Sequence, residues 1–144
     1  IPKAIALIKQ NKKVPIYGTG KSIRDWIYVD DHCEAIMLAL QKGKSGESYN
    51  ISASNELDVL TVVKKLLTLL DKPLNNLQFG EGRPGEDLRY SLDSSKIRKE
   101  LGWRHKINSD IGFQKTIQWY IENKNRLENL SKNTLSSTPW KDLS

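Results

Sequence analysis

Four sets of residues in this 144-residue chain have types and spacing that could do chemistry. Gly18-Thr19-Gly20-Lys21-Ser22 has the composition of a phosphate-cradling turn. Tyr17 and Lys21 stand at the Tyr-x-x-x-Lys spacing at which a lysine can acidify a phenol for proton transfer. Asp30-Asp31 pairs two carboxylates, and Arg24, Arg83 and Arg89 fall in or beside Gly- and Pro-rich stretches. A planar guanidinium presents a fork of donors that matches phosphate oxygens bidentately.

Spacing removes the first two readings. A Gly-x-x-x-x-Gly-Lys-Ser loop ending at Gly20 needs a glycine at position 15, which is Pro15, with a fixed φ and no N–H. It also needs a helix launched from Lys21-Ser22, whereas "IRDWIYV" is strand-like. The tyrosine–lysine pair works one turn apart on a helix, and Gly18 and Gly20 argue against one there. A second copy, Tyr120 and Lys124, does sit on an expected helix, where Tyr120 reads as an amphipathic core residue. His32 and His105 lack a second ligand at metal spacing, and Asp30-Asp31 reads as helix capping. No catalytic, cofactor-binding or metal-binding set is complete. The arginines remain, with surface ion pairs as their alternative use. Beside Pro15, the flat ring of Tyr17 could wall a slot for a base or ribose.

The elements that must position them follow from periodicity. Ile1, Ile5, Leu7 and Ile8 read as a helix that ends at 11–13, and "VPIYG" as a short strand. Asp31 is expected to open the next helix, with Glu34 three residues on completing a capping box and Gly43 closing it. That helix is apolar nearly all round, so burial is expected. "ESYNIS" reads as a strand, and Asp58 caps a long amphipathic helix closed by Pro73. "LQF" is a candidate strand, and "GEGRPGEDLRY" is an irregular loop that is costly to order unless something binds there. Asp93 begins a short helix to Leu101, and a final helix runs from about 109 to 123. The class is therefore α/β or α+β. The polar stretch 125–144 reads as a loosely held tail that Leu127, Leu130 and Trp140 could pin.

Composition narrows the partners. The net charge of +6 and pI near 9.4 invite a nucleic-acid reading, but basic residues are scattered among acidic ones rather than focused in a patch. Cys33 is the only cysteine, so no internal disulfide can form, and its apolar neighbours read it as a packed thiol. No apolar run approaches the length of a membrane helix. The abrupt start at "IPKAIALI", together with too few strands for a self-sufficient sheet, reads as a fragment.

In order and spacing, "VPIYGTGKSIRDWIYVDDHCEAIMLAL", "GESYNIS", "RPGEDLRYSLDSSKIRKELGW" and "GFQKTIQWYIENK" resemble the C-terminal half of dTDP-glucose 4,6-dehydratases, extended short-chain dehydrogenase/reductases. The resemblance covers about residues 1–124. It implies a small mixed α/β substrate-binding domain at 1–124 that normally packs on a Rossmann domain absent from this chain. It implies that the Rossmann half holds NAD and the catalytic tyrosine. The whole enzyme would be a cytoplasmic homodimer of deoxysugar biosynthesis that oxidises a nucleotide hexose at C4, eliminates water across C5–C6 and returns hydride to C6. The fragment alone is expected to be inactive. By motif, Ile1 and Pro2 match a nucleotide-contacting segment, Pro15, Ile16 and Tyr17 border base and ribose, and Arg24 and Arg83 match the two diphosphate arginines. Glu86 stands where the family has a site histidine, followed by Asp87; Leu88 replaces a basic residue, and Val59 replaces a substrate-contacting asparagine. These departures leave the nucleotide sugar open. A UDP-sugar epimerase or UDP-glucuronate decarboxylase is the alternative enzyme, and a non-catalytic basic binding module the alternative class.

Overall fold

The computed structural model describes residues 1–130 and 132–136, so Trp140 and part of the expected tail lie outside the described residues. The element order is α1 (Pro2–Lys9), β1 (Val14–Tyr17), β2 (Ile23–Asp25), α2 (Val29–Lys42), β3 (Glu56–Asp58), α3 (Val59–Leu69), β4 (Leu77–Gly80), β5 (Arg89–Tyr90), α4 (Ser95–Leu101), α5 (Ser109–Glu122), α6 (Asn125–Glu128) and α7 (Lys132–Leu135). This is the small mixed α/β class expected. The chain divides into two compact units, Ile1–Ser22 with Asp58–Leu88 and Gln114–Ser144, and Ile23–Leu57 with Arg89–Phe113.

In the first unit, α1 packs on α3, β1 and α6. The alternation of β1 buries Val14 and Ile16 and leaves Pro15 and Tyr17 half-buried. The apolar period of α3 buries Val62, Val63, Leu66 and Leu67. In α6, Leu127 is buried as well. β1 and β4 pair in parallel, Val14 with Leu77 through Tyr17 with Gly80, confirming "LQF" as a strand.

The turn after β1 shows why its glycines are there. Gly20 has φ +70, and a Cβ on it would lie 2.6 Å from Ile16 Cγ2 and 3.0 Å from Leu60 Cβ. Its carbonyl accepts from Leu60 N–H at 3.0 Å, and the Ser22 carbonyl from Val59 N–H at 3.2 Å. Asp58 accepts from the Thr61 amide at 2.8 Å and its hydroxyl at 2.7 Å, as the expected N-cap. The first N–H groups of α3 are thus met by the chain itself. Lys21-Ser22 leads to β2 rather than to a helix, so the turn caps a helix and cradles no phosphate.

In the second unit, β3, β2 and β5 form a three-stranded sheet with β2 central. Ala35, Ile97 and Trp103 form the core, with Ile27, Leu38, Tyr49, Ile51 and Leu101 packed on it. Three expectations are corrected here. α2 buries only Asp31 and Ala35, while Leu40 is 75% and Val29 60% exposed, and Cys33, Ile36 and Met37 face solvent on the same stripe. The all-round apolar pattern marks a helix with a second face open, not a buried one. Asp31 is not a cap: α2 starts at Val29, with Tyr28 as its N-cap, and the 2% exposed Asp31 carboxylate accepts from the Lys106 and Ile107 N–H groups at 3.0 and 2.9 Å. Glu34 pairs with Lys106 instead of closing a capping box. "ESYNIS" forms no strand, and Tyr49, Asn50 and Ile51 make no backbone ladder among the described residues.

Two outcomes are expected from this packing. Gly20→Ala should cost about 2–4 kcal/mol, from the left-handed φ and the filled space together, measured by urea unfolding. At Asp58, burial pushes the carboxyl pKa up, but the Thr61 bonds outweigh this and hold it below the ordinary value. The depressed folded pKa means the cap stabilises fully above the unfolded value of about 4 and is lost as pH falls through the folded one. Asp58→Ala should therefore cost about 1 kcal/mol at pH 7 and flatten the acid limb of the stability–pH curve.

Candidate functional site

The ends of two parallel strands make the site of the first unit. Tyr17 and Gly80 close β1 and β4 side by side, and Gly18 N–H bonds the Gly80 carbonyl at 3.0 Å. Beyond them the two loops touch backbone to backbone, since a Cβ on Gly18 would lie 3.6 Å from Gly82 Cα. Arg83 follows at once, in a Pro84-Gly85 turn closed by Glu86 N–H on the Arg83 carbonyl at 3.2 Å, with φ +69 on Gly85. Arg83 is exposed, and its guanidinium has no partner among the described residues. The α1 N-terminus reaches the same end: Lys3 Nζ donates to Tyr17 Oη at 2.8 Å and lies 5.5 Å from the Tyr17 ring centroid. Carboxyl ends of parallel strands are where α/β folds gather ligands.

The expected site residues divide accordingly. Ile1, Pro2, Pro15, Ile16, Tyr17, Arg83, Glu86 and Asp87 all belong to the first unit, and Arg24 to the second. The Tyr17 strand end and the loop that leads to Arg83 are brought together, with Pro15 two residues back along β1. Ile16 is fully buried, which leaves only its main chain available, while Ile1 is half-buried and Pro2 exposed. Lys3 is a cation that periodicity could not single out, because its role depends on where α1 lands against β1.

In the second unit, Arg24 lies on the central strand β2 and donates to the Ile23 carbonyl at 2.7 Å. Its neighbour Asp25 is the anchor that sequence reasoning missed. One carboxylate accepts from the main-chain N–H groups of Ala53, Ser54 and Asn55 at 3.2, 3.0 and 3.2 Å. Ser54, at φ +56, turns the chain so that these three donors converge. Arg89 is committed elsewhere: its Nε and Nη2 donate to Glu56 at 2.9 and 2.5 Å. Among the described residues, no group of three or more His, Cys, Asp or Glu could hold a metal ion, and no helix is long and apolar enough to cross a membrane.

Against this geometry, the comparisons with known proteins are direct. The chain belongs to the GDP-mannose 4,6 dehydratase family, whose model matches residues 1–116. The dTDP-glucose 4,6-dehydratase of Haemophilus influenzae is 44% identical over 135 residues, which cover 85% of this chain and 40% of that protein. The structure of the dTDP-glucose 4,6-dehydratase of Streptomyces venezuelae, solved with NAD bound, superposes with a TM-score of 0.87 at 37% identity, over 91% of this chain and 41% of that one. The UDP-glucose 4-epimerase of Thermotoga maritima, solved with UDP-glucose, reaches 0.77 at 28% identity, over 84% and 38%. The chain thus spans about two-fifths of the length of the relatives it matches.

NAD does not fit the loop after β4. Gly80-Glu81-Gly82-Arg83-Pro84-Gly85 is a literal Gly-x-Gly-x-x-Gly directly after a strand. A dinucleotide grip needs a helix opening at that turn, its N–H groups aimed at the pyrophosphate. Here the chain leaves Gly85 for β5, and Pro84 has no N–H to give.

Truncating the Asp25 anchor tests the second unit. Asp25→Ala should cost about 1–3 kcal/mol by leaving the 53–55 donors unmet, and faster hydrogen exchange at those three amides should localise the loss.

Proposed function

We propose that this chain is the C-terminal, nucleotide-sugar-binding portion of an NAD-dependent dTDP-glucose 4,6-dehydratase, made of residues 1–124 followed by a polar tail. The observation that carries the reading is the meeting of the Tyr17 strand end with the exposed Arg83 turn in the first unit. Tyr17 and Pro15 wall the base and ribose, with Ile1 and Pro2 at the edge. In the first unit Arg83 takes a diphosphate through its fork, and in the second Arg24 is assigned the same phosphate chemistry on the motif resemblance. Glu86 and Asp87 accept from ribose or sugar hydroxyls, a role that suits carboxylates better than contact with phosphate.

The higher identity to dTDP-glucose dehydratases than to the UDP-glucose epimerase favours the dehydratase over the epimerase or decarboxylase reading. NAD and the catalytic tyrosine belong to the portion of the protein outside these residues, and the whole enzyme works in the cytoplasm as a homodimer. The open stripe on α2 supports a longer protein, whose remainder covers it.

Three measurements test this. In the whole protein, calorimetry should show dTDP bound more tightly than UDP, with no binding of a short RNA. Arg24→Ala and Arg83→Ala should each weaken dTDP about 10–100-fold, the scale of a charge-assisted bond. RNA binding without nucleotide binding would instead establish a basic module. The 144-residue chain with dTDP-glucose and NAD should form no 4-keto sugar, and turnover would refute the fragment reading. The exposed Cys33 should react with a maleimide in the 144-residue chain and be protected in the whole protein.

A further inference from the structure

In the second unit a bidentate arginine–carboxylate pair crosses the sheet. β2 is flanked by β3 and β5, and Glu56 opens β3 while Arg89 opens β5. The fork Arg89 Nε–Glu56 Oε2 at 2.9 Å and Nη2–Oε1 at 2.5 Å therefore joins the two outer strands across the central one. Lys96–Glu47 and Lys106–Glu34, also in this unit, are single contacts from a point charge, which fix no orientation.

The sheet needs such a tie. Its strands are three, three and two residues long, and β5 meets β2 only as Ile23 with Arg89 and Arg24 with Tyr90. Ladders this short are marginal by themselves. A fork of two parallel bonds fixes both separation and angle between its ends, the case in which an exposed pair has most effect. Two of the five N–H donors of Arg89 are committed to Glu56, which ties this side chain to the sheet. Polar groups lining the neighbouring concavity are also engaged: Arg98 donates to Ser54, and Asp93 accepts from Ser95.

We propose that Glu56 and Arg89 are positioning residues that hold β2 so that Arg24 meets the nucleotide diphosphate. This inference rests on the nucleotide-binding role given to Arg24 above. The clamp acts on ligand affinity only through that side chain, which separates it from a general contribution to stability.

The test is a double-mutant cycle on dTDP affinity in the whole protein, by calorimetry, with a urea midpoint recorded for every variant. Glu56→Gln and Arg89→Met should each weaken dTDP by about 3–10-fold. Arg89→Lys should not restore it, because lysine lacks the fork. The exchange Glu56→Arg with Arg89→Glu, which rebuilds the pair in reverse, should recover affinity to within about threefold. In an Arg24→Ala background, Glu56→Gln should have no further effect, the signature of a shared route. Equal losses with and without Arg24 would overturn the inference, as would unchanged affinity alongside a lowered urea midpoint. A wild-type protein that binds no dTDP would overturn the nucleotide reading and this inference together. Tight wild-type binding lost in Arg24→Ala but kept in Glu56→Gln would overturn this inference alone.

Discussion

The first unit depends on how the α3 N-terminus finds its acceptors. The opening amides of a helix need partners, and here they come from two carbonyls of the β1–β2 turn and one carboxylate. The turn can deliver those carbonyls only by passing through a left-handed glycine packed against Ile16 and Leu60. One constraint thus joins β1, the start of α3 and the departure of β2. A loop with the composition of a phosphate cradle spends its amides on its own chain, Gly18 on the Gly80 carbonyl, Gly20 on the Tyr17 carbonyl and Lys21 on Thr19 Oγ1, and turns its carbonyls to α3. Where a phosphate cradle presents donors, this turn presents acceptors, and its chemistry is the reverse of what its letters resemble.

Arginine placement carries the functional reading, and the three candidates have separate fates. Arg83 emerges exposed from a Pro-Gly turn beside the Tyr17 strand end. Arg24 rides on a central strand between a carboxylate that grips three amides and a pair that bridges the outer strands. Arg89 is consumed in building that bridge. The sequence alone could not sort them, because all three share an irregular, Gly- and Pro-rich neighbourhood. Distances to Glu56 separate what composition had left together.

Legibility followed locality. The α3 helix and its Asp58 cap, β1, β4 and α5 were readable because period and capping are short-range properties of the chain. Asp31 was misread because its partners, the amides of Lys106 and Ile107, lie about seventy-five residues away. β3 and β5 were missed because strands of two or three residues carry no period, and exist only where a neighbour pairs with them. "ESYNIS" has strand composition and no ladder partner among the described residues, the same dependence in the opposite sense. At the site, the motif-bearing residues were legible, whereas Lys3 and Asp25 became visible only once tertiary contacts placed them.

Asp25 and Asp31 share a feature with a consequence for how such a fold drifts. Both carboxylates address main-chain amides, which every residue but proline supplies. The demand is therefore lopsided: positions 25 and 31 must keep an acidic group, while at 53–55 and 106–107 these bonds ask only for a residue other than proline. Contacts of this kind leave no paired substitutions behind them. A search for correlated changes among homologues would pass over the two ties that hold the second unit's loops in place, and would see only a pair of solitary aspartates.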